Sequence, residues 1–337
     1  MKVLVTGGLG FIGSHTVVEL QNEGFEVIII DNLSNSSEEV LVGIENISGK
    51  KPVFEKMDLR EKNAVISFFE KHNDINGVIH FAASKAVGES VENPLLYYEN
   101  NINTLVYVLQ ELQKKDDASF IFSSSCTVYG QAEKMPITED APVQMAMSPY
   151  GNTKQIGEEI ITEVAKVSNI KSILLRYFNP IGAHPTAEIG ELPIGVPQNL
   201  VPFITQTGMG LRQQLAVYGD DYPTPDGTAV RDYIHVVDLA KAHVVALKRL
   251  LENKNIDKVE TFNLGTGTGS SVLEVIHAFE KVSNQKLNYK IVGRREGDIT
   301  SAYANTDKAN EVLGWKAQST LEESLASAWK WEQKIRA

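Results

Sequence analysis

The chain has 337 residues and a formal net charge of −11, with 42% hydrophobic residues. It is long enough for a nucleotide-binding domain and a second lobe, while the acidic balance argues against nucleic acid as a partner. No apolar stretch reaches the ~18 residues of a membrane span, so we expect no membrane partner. The apolar start MKVLV runs into glycines without a cleavage-type site, which argues against a signal peptide.

The single cysteine and the histidines limit the chemistry further. Cys126 excludes an internal disulfide and is typical of a reducing cytoplasm, where we expect the protein to be located. The seven histidines form no H-x-x-x-H pattern and no cluster with cysteine. We therefore expect no metal site.

The first predicted strand, residues 2–6, leads into a glycine-rich turn and a helical pattern. Gly7, Gly10 and Gly13 have the spacing G-x-x-G-x-x-G. The first permits the turn, the second admits a pyrophosphate, and the third lets the helix pack on the strand. The helix N-terminus would then face the phosphates. Taken alone, these glycines could also form a tight turn without a ligand.

The next apolar run, EVIII, ends at Asp31 in the order expected for a βαβ unit. Its carboxylate could accept hydrogen bonds from an adenosine ribose and would repel a 2′-phosphate. The pattern therefore favours NAD over NADP as the cofactor.

Strands and helices then alternate along the chain. Strand-like runs and helix-length segments occupy 52–56, 61–71, 77–81, 93–115, 119–123, 150–168 and 171–177. This alternation predicts an α/β fold with a Rossmann-type, doubly wound parallel sheet. Ligands of such sheets bind outside the carboxyl ends of the strands. The polar, small or aromatic residues there are Asp58, Phe81 to Ala83, Lys85, Ser123 to Thr127 and Tyr177 to Asn179.

The rhythm changes after Asn179, where prolines and glycines become frequent. We expect a dinucleotide-binding domain over 1–179 and a smaller, partly interleaved α/β substrate domain over 180–337, with 236–265 returning to the first domain. A capping box at Thr320 and Glu323 predicts a final helix, in which Trp329 and Trp331 pack.

Tyr150 and Lys154 lie four residues apart in SPYGNTK, which places them on one face of a helix. A phenol with a pKa near ~10 is a poor base at neutral pH, but a neighbouring ammonium favours its ionised form. The same spacing also occurs in ordinary amphipathic surface helices. By itself it does not establish catalysis.

With these segments and the strand end SSSCTVYG, the chain resembles the extended short-chain dehydrogenase/reductases. More narrowly, it resembles the UDP-glucose 4-epimerases, also called UDP-galactose 4-epimerases. Further shared motifs are DNLSNS, HFAASKAVGES, LRYFNPIGAHP, GDDYPTPDGTAVRDYIHVVDLA, FNLGTG and RREGD. The resemblance implies reversible interconversion of UDP-glucose and UDP-galactose through a 4-keto sugar with retained NAD. It also implies a UDP-sugar-binding second domain, a homodimer and a role in galactose metabolism.

The resemblance assigns the chemistry to three residues. Tyr150 takes the proton of the 4-hydroxyl while the nicotinamide accepts the hydride, and Lys154 holds the cofactor ribose and favours the phenolate. Ser125 bridges the sugar O4 and Tyr150, with Thr127 nearby. Considered alone, Ser125 could also be a satisfied strand-end hydroxyl, which is the less favoured interpretation.

The resemblance also assigns binding residues. For NAD, beyond the glycines and the catalytic pair, they are Phe11, Ile12, Asp31, Asn32, Asn35, Ser36, Asp58, Leu59, Phe81, Ala82, Ala83, Lys85, Asn100 and Phe178. For the UDP-sugar they are Asn179, Asn199, Leu200, Tyr218 against uracil, Arg231 and Arg295 on the diphosphate, and Asp298 on the ribose. Guanidinium groups suit phosphates, although either arginine alone could form a surface ion pair.

Ala302 departs from one version of the family pattern. Epimerases restricted to the smaller hexoses tend to have a tyrosine there, whereas forms accepting N-acetylhexosamines tend to have a small residue. We therefore hypothesise that UDP-N-acetylglucosamine and UDP-N-acetylgalactosamine are also substrates.

Three alternatives remain. A nucleotide-sugar 4,6-dehydratase needs an extra acid/base pair, usually Asp-Glu, where this chain has Val128 and Tyr129 after Thr127. A net NAD-dependent dehydrogenase or a UDP-glucuronate-modifying enzyme would share the first half-reaction. A non-catalytic NAD sensor would not need the complete set of Ser125, Tyr150 and Lys154.

Overall fold

The computed structural model describes residues 1–295 and 298–337. Glu296 and Gly297, which belong to the motif RREGD, lie outside the described residues. Thirteen strands and ten α-helices alternate along the described chain. Their main assembly is a parallel sheet covered by helices on both faces, as the sequence predicts.

Seven strands form this main sheet. They are β1 (Lys2–Thr6), β2 (Glu26–Asp31), β3 (Val53–Lys56), β4 (Gly77–His80), β5 (Ala118–Ser125), β6 (Ile170–Tyr177) and β10 (Val259–Leu264). Their order is β10-β6-β5-β4-β1-β2-β3, and every neighbouring pair is parallel. The strand order reverses between β1 and β4, which is the switch point where doubly wound sheets bind ligands.

Alternating residues of the strands fill two separate cores. Val3, Val5 and Ile29 belong to one apolar cluster, and Leu4 and Ile28 belong to the other. Because successive side chains of a strand point to opposite faces, this alternation buries both faces of the sheet. The helices that flank the strands are α1 (Phe11–Asn22), α2 (Val40–Ser48), α3 (Lys62–Lys71), α4 (Val87–Glu92), α5 (Pro94–Leu112), α6 (Pro149–Val167) and α8 (Val236–Leu251).

The remaining elements build what we call the small-sheet region. Its strands are β7 (Asn179–Ile181), β8 (Leu215–Tyr218), β9 (Val230–His235), β11 (Gly269–Ser271), β12 (Tyr289–Val292) and β13 (Ser301–Ala302). Its helices are α7 (Leu200–Gly208), α9 (Val272–Ser283) and α10 (Leu321–Arg336). They enclose a third apolar core, in which Phe279 meets Trp329 edge to face at 5.4 Å.

Local sequence signals explain how two of these helices begin. Thr320 and Glu323 form the capping box at the start of α10, and Ser271 and Glu274 form another at the start of α9. The first was predicted, and the second follows the same rule. Between β7 and α9 the chain returns to the main sheet. There α8 packs beside α1, and β10 pairs with β6.

Candidate active site

The glycine turn between β1 and α1 leaves room for a ligand close to the backbone. Gly7 has a φ of +66°, in the region that favours glycine. A Cβ on Gly13 would overlap the Gly7 carbonyl oxygen and lie 2.8 Å from the Gly8 Cα. Helix α1 therefore approaches β1 as closely as only glycine permits. Gly10, the N-cap, has no side chain to cover the N–H groups of Phe11 and Ile12, which suits a pyrophosphate.

Asp31 organises the loop after β2. Its carboxylate accepts hydrogen bonds from the Leu9 amide at 3.1 Å, the Leu33 amide at 2.9 Å and the Ser36 hydroxyl at 2.8 Å. These bonds fix the acid beside the glycine turn, where a ribose would end. The cradle and this carboxylate together fit NAD, so the predicted cofactor residues of this loop are brought together.

The neighbouring residues predicted to contact the adenosine differ in their hydrogen bonds and in their burial. Asn32 donates from Nδ2 to Asp58 at 3.2 Å, and the Arg60 guanidinium lowers the pKa of Asp58 to about 2. Asn35 is exposed, whereas the Leu59 side chain lies in the apolar core beneath the sheet. Leu59 can therefore border an adenine only through its backbone.

Tyr150 and Lys154 lie in the first turns of α6, whose start is fixed by Ser148. The Ser148 hydroxyl accepts a hydrogen bond from the Gly151 amide at 3.1 Å. Lys154, 4% exposed, donates from Nζ to the Ser123 carbonyl oxygen at 2.6 Å. The same Nζ lies 5.8 Å from the centre of the Tyr150 ring. The predicted pair therefore forms one unit at the end of β5.

Burial shifts both members of the pair away from their charged forms. It raises the pKa of Tyr150 to about 12, although the Ser125 side chain acts in the opposite direction. Burial also lowers the pKa of Lys154 to about 8. An ammonium with that pKa is close to its titration point near neutral pH. Burial therefore disfavours the phenolate in the ligand-free protein, so positive charge beside the ring is needed before Tyr150 can act as a base.

Ser125 faces Tyr150 from the end of β5. Its Oγ accepts a hydrogen bond from the Thr127 amide at 3.2 Å, so the strand-end role considered above is real. That bond uses a lone pair and leaves the hydroxyl proton free to be donated. Thr127 Oγ1 is buried without a hydrogen-bond partner among the described residues, which is typical of a polar group that awaits a ligand.

The predicted UDP-binding residues lie in or beside the small-sheet region. Arg231 on β9 donates to Asp298 at 3.2 Å, so these two predicted residues are neighbours. Asn199 is the N-cap of α7 and Leu200 is its first residue. Asn179 lies on β7 beside β9. Tyr218 ends β8 with 44% of its surface exposed, and Arg295 is exposed.

Glu191 was missed by the sequence reasoning and joins the two binding regions. Its Oε1 accepts hydrogen bonds from Asn199 Nδ2 at 2.7 Å and from Lys85 Nζ at 3.4 Å. Its backbone oxygen accepts one from Trp331 Nε1 at 2.9 Å. One carboxylate thus holds a predicted cofactor residue and a predicted substrate residue. The contacts span up to 140 positions in sequence, so no local pattern announced them.

Ala302 lies where the sugar is expected. It is 3% exposed, pairs with Arg231 across β13 and β9, and belongs to an apolar cluster with Phe178, Val128 and Tyr129. Tyr303 points elsewhere, because a Cβ on Gly269 would lie 3.1 Å from its ring. The alanine therefore contributes only a methyl group to this wall.

Within residues 1–295 and 298–337, no group of three or more histidine, cysteine or acidic side chains is arranged to hold a metal ion. In the same part of the chain, no helix combines the length and apolar character needed to cross a membrane.

Comparison with known proteins decides the family. A family model described as GDP-mannose 4,6 dehydratase matches residues 4–328. A UDP-glucose 4-epimerase of Bacillus subtilis is 51% identical over 333 residues, which cover 98% of this chain and 97% of that protein. The chain belongs to the UDP-glucose 4-epimerase family. The predicted family is thus confirmed, and the dehydratase alternative is not favoured, since Val128 and Tyr129 are fully buried where that reaction needs two carboxyl groups.

Solved structures of epimerases have the same fold. The UDP-glucose-4-epimerase of Stenotrophomonas maltophila, with bound NAD and formylated UDP-arabinopyranose, is 45% identical with a TM-score of 0.96, covering 100% of this chain and 99% of that one. The Bifidobacterium longum enzyme in complex with NAD+ and UDP is 46% identical with a TM-score of 0.94 and the same coverage. The predicted α/β fold is confirmed.

Proposed function

We propose that this member of the epimerase family catalyses NAD-dependent, reversible epimerisation at C4 of UDP-glucose and UDP-galactose through a 4-keto sugar. The observation that carries the proposal is the convergence of Tyr150, Lys154 and Ser125 at the end of β5, beside the glycine cradle. When bound, NAD supplies a reversible hydride acceptor. The 45–51% identity to epimerases over nearly the whole chain supports the same conclusion.

The protein residues handle the proton. Tyr150 accepts the proton of the sugar 4-hydroxyl and returns it in the reverse step, with Ser125 between the two oxygens. Lys154 lies against the phenol ring and supplies the positive charge that stabilises the phenolate. Its Nζ is held by the Ser123 carbonyl, so the charge stays in one place during both steps.

Inversion at C4 requires the 4-keto sugar to present both of its faces to the same site. The protein must therefore grip UDP and leave the hexose free to turn. Most of the residues we assign to UDP are charged, amide or aromatic, as in Arg231, Asn199 and Tyr218. Ala302, which we assign to the sugar wall, lies in an apolar cluster and offers no ionic hold.

We also propose that the enzyme accepts UDP-N-acetylglucosamine and UDP-N-acetylgalactosamine. The methyl side chain of Ala302 is much smaller than a phenol ring, and it lies in the apolar cluster with Phe178. A matched test is Ala302→Tyr, which should remove turnover of the N-acetyl sugars and retain turnover of UDP-galactose. If the unmodified enzyme epimerises UDP-galactose but neither N-acetyl sugar at high enzyme concentration, this extension is wrong.

Assembly, domains and location complete the proposal. We infer a homodimer through helices of the first domain, as the resemblance to the epimerase family implies. We assign NAD to residues 1–179, with α8 and β10 returning to that domain, and the UDP-sugar to 180–337. We place the enzyme in the cytoplasm, in galactose and nucleotide-sugar metabolism, on the lone Cys126 and the resemblance.

One assay tests the reaction itself. Purified protein is given UDP-galactose, UDP-glucose or either N-acetyl sugar without added NAD, and the products are separated. We expect the C4 epimer at equilibrium with its substrate. Accumulation of free NADH would instead indicate a net dehydrogenase, and a 4-keto-6-deoxy product would indicate a dehydratase. NAD binding with no turnover of any of the four sugars would favour a sensor.

A further inference from the structure

A buried ion pair lies directly behind the catalytic lysine. Glu158 follows Lys154 by one turn of α6, on the same helix face. Its carboxylate accepts hydrogen bonds from Arg176 Nε at 2.9 Å and Nη2 at 2.6 Å, and from Ser124 Oγ at 2.5 Å. Glu158 and Arg176 are both less than a tenth exposed. The reaction proposed above does not use any of these groups directly.

Stability alone gives no reason for charges at this position. A buried ion pair loses much of its attraction to desolvation, and a well-packed apolar pair of similar volume is often as stable or more so. Retention of a fully hydrogen-bonded carboxylate one turn from Lys154 therefore points to a use for its charge. Arg176 is tied down as well, donating to the Glu139 backbone oxygen at 3.2 Å.

The strand register connects this pair to the catalytic residues. Three consecutive serines end β5: the Ser123 carbonyl holds Lys154, the Ser124 hydroxyl holds Glu158, and Ser125 faces Tyr150. In the parallel pairing of β5 with β6, Ser124 lies opposite Arg176 and Ser125 lies opposite Tyr177. Glu158, Lys154 and Tyr150 are therefore all anchored to the same three-residue segment.

Among the described residues, no other titratable group around Lys154 supplies a negative charge in place of the Glu158 carboxylate. On β4, burial keeps His80 neutral by lowering its pKa to about 3. On β6, burial raises the pKa of Tyr177, whose hydroxyl donates to Ser123 Oγ. Beyond the pair, burial raises the pKa of Tyr129 to about 12.

The last nearby acid is turned away from the lysine. Glu139 lies beyond Arg176, and its Oε1 accepts a hydrogen bond from the Asn263 backbone amide at 2.8 Å. Burial raises the pKa of Glu139. Glu158 is the carboxylate that opposes the effect of burial on Lys154.

We propose that Glu158 is a positioning residue for proton transfer at Tyr150, which keeps Lys154 charged and aligned while Arg176 and Ser124 hold Glu158. The proposal rests on the acid/base role assigned above to Tyr150. The Glu158 carboxylate, on the same helix as Lys154, favours the charged form of the lysine in addition to any effect of the bound cofactor.

The test is the pH profile of kcat for Glu158→Gln in the NAD-loaded enzyme. Without the carboxylate the ammonium is less favourable, so the alkaline limb should move to lower pH by about 1 unit. KM for the UDP-sugar should change little, because the residues assigned to UDP lie in or beside the small-sheet region and Glu158 lies on α6. Glu159→Gln is the matched control: Glu159 is the next residue of α6 and is exposed, so its profile should match that of the unmodified enzyme.

Two further variants keep the test decisive if Glu158→Gln folds poorly. Glu158→Asp retains the charge and should leave the alkaline limb nearer to its original position. Glu158→Gln with Arg176→Met leaves no unpaired cation, and should still move the limb in the same direction by a smaller amount. If Glu158→Gln and the double variant both keep the original alkaline limb in the NAD-loaded enzyme, the inference is wrong. If the unmodified enzyme itself fails to epimerise any UDP-sugar, the proposed function fails instead.

Discussion

The end of β5 and the small-sheet region hold their functional groups in opposite ways. At β5, Lys154 and Ser125 are buried, and each is fixed by a backbone partner within three residues of the strand end. In the small-sheet region, Tyr218 and Arg295 are exposed, and Arg231 is paired with Asp298. Proton transfer depends on fixed geometry. Substrate binding, in contrast, can exchange a hydrogen-bond partner within the protein for one on the ligand.

The pairings of the second region suit that replacement. Arg231 and Asn199 each hold a carboxylate, at 3.2 Å and 2.7 Å respectively. A diphosphate offers the same kind of acceptor to both groups. Binding then exchanges one set of polar contacts for another. Variants of the two regions should therefore separate kcat effects from KM effects.

The largest expected effect is that of Tyr150→Phe. Loss of the group that moves the 4-hydroxyl proton should reduce kcat by roughly 10²- to 10⁴-fold, the usual contribution of general acid–base catalysis. The purified variant should retain NAD, since the glycine cradle is untouched. Turnover at the unmodified rate would overturn the assignment of Tyr150.

Arg231→Met should act through binding. Loss of a charged hydrogen-bond donor to the diphosphate should raise KM for UDP-galactose by roughly 10- to 150-fold, corresponding to about 1.5–3 kcal/mol. Arg294→Met is the control, because Arg294 pairs with exposed Asp221 in the same region. A change confined to kcat would contradict this assignment and show that Arg231 acts in the chemical step instead of in binding.

Gly13→Ala should damage the cradle without removing any functional group. Its Cβ would overlap the Gly7 carbonyl oxygen, and such overpacking costs about 1–3 kcal/mol of folding stability. We expect a lower Tm and less NAD in the purified protein. Gly88→Ala should have neither effect, because a Cβ there meets no atom within 4 Å. Equal behaviour of the two variants would contradict the close-packing argument.

Glu191→Gln should have the smallest effect. It removes a negative charge that holds Lys85 and Asn199 and would face the diphosphates. UDP and substrate should bind roughly 1.5- to 5-fold more tightly, in the range of a partly exposed ion pair, with kcat unchanged. Glu188→Gln, which affects contacts to Lys334 and Asn46, is the control. Weaker UDP binding in Glu191→Gln would show that the carboxylate positions Asn199 for the substrate.

Several features of the site were predictable because they depend on neighbours in sequence. The glycine spacing fixes the turn between β1 and α1, and the four-residue interval places Tyr150 and Lys154 on one helix face. The capping box at Thr320 and Glu323 is equally local. Such signals need only the backbone geometry of one element.

Other contacts required the assembled sheet. Glu158 could have been noticed as the residue four positions after Lys154, but its partner Arg176 is set by the register of β5 and β6. Glu191 reaches Lys85 across 106 positions. No periodicity encodes such a separation, because it depends on how whole elements pack.

The amino-acid sequence by itself determined the α/β alternation, the glycine turn after β1, the family, and the placement of Tyr150 and Lys154 on one helix face. Only the tertiary structure decided what surrounds them: the buried Glu158 and Arg176 behind Lys154, the Glu191 carboxylate between the binding regions, and the apolar wall at Ala302. The physical reason is that turns, caps and helix faces follow from local backbone geometry. Burial and charge pairing depend on groups that are distant in the chain and meet only after folding.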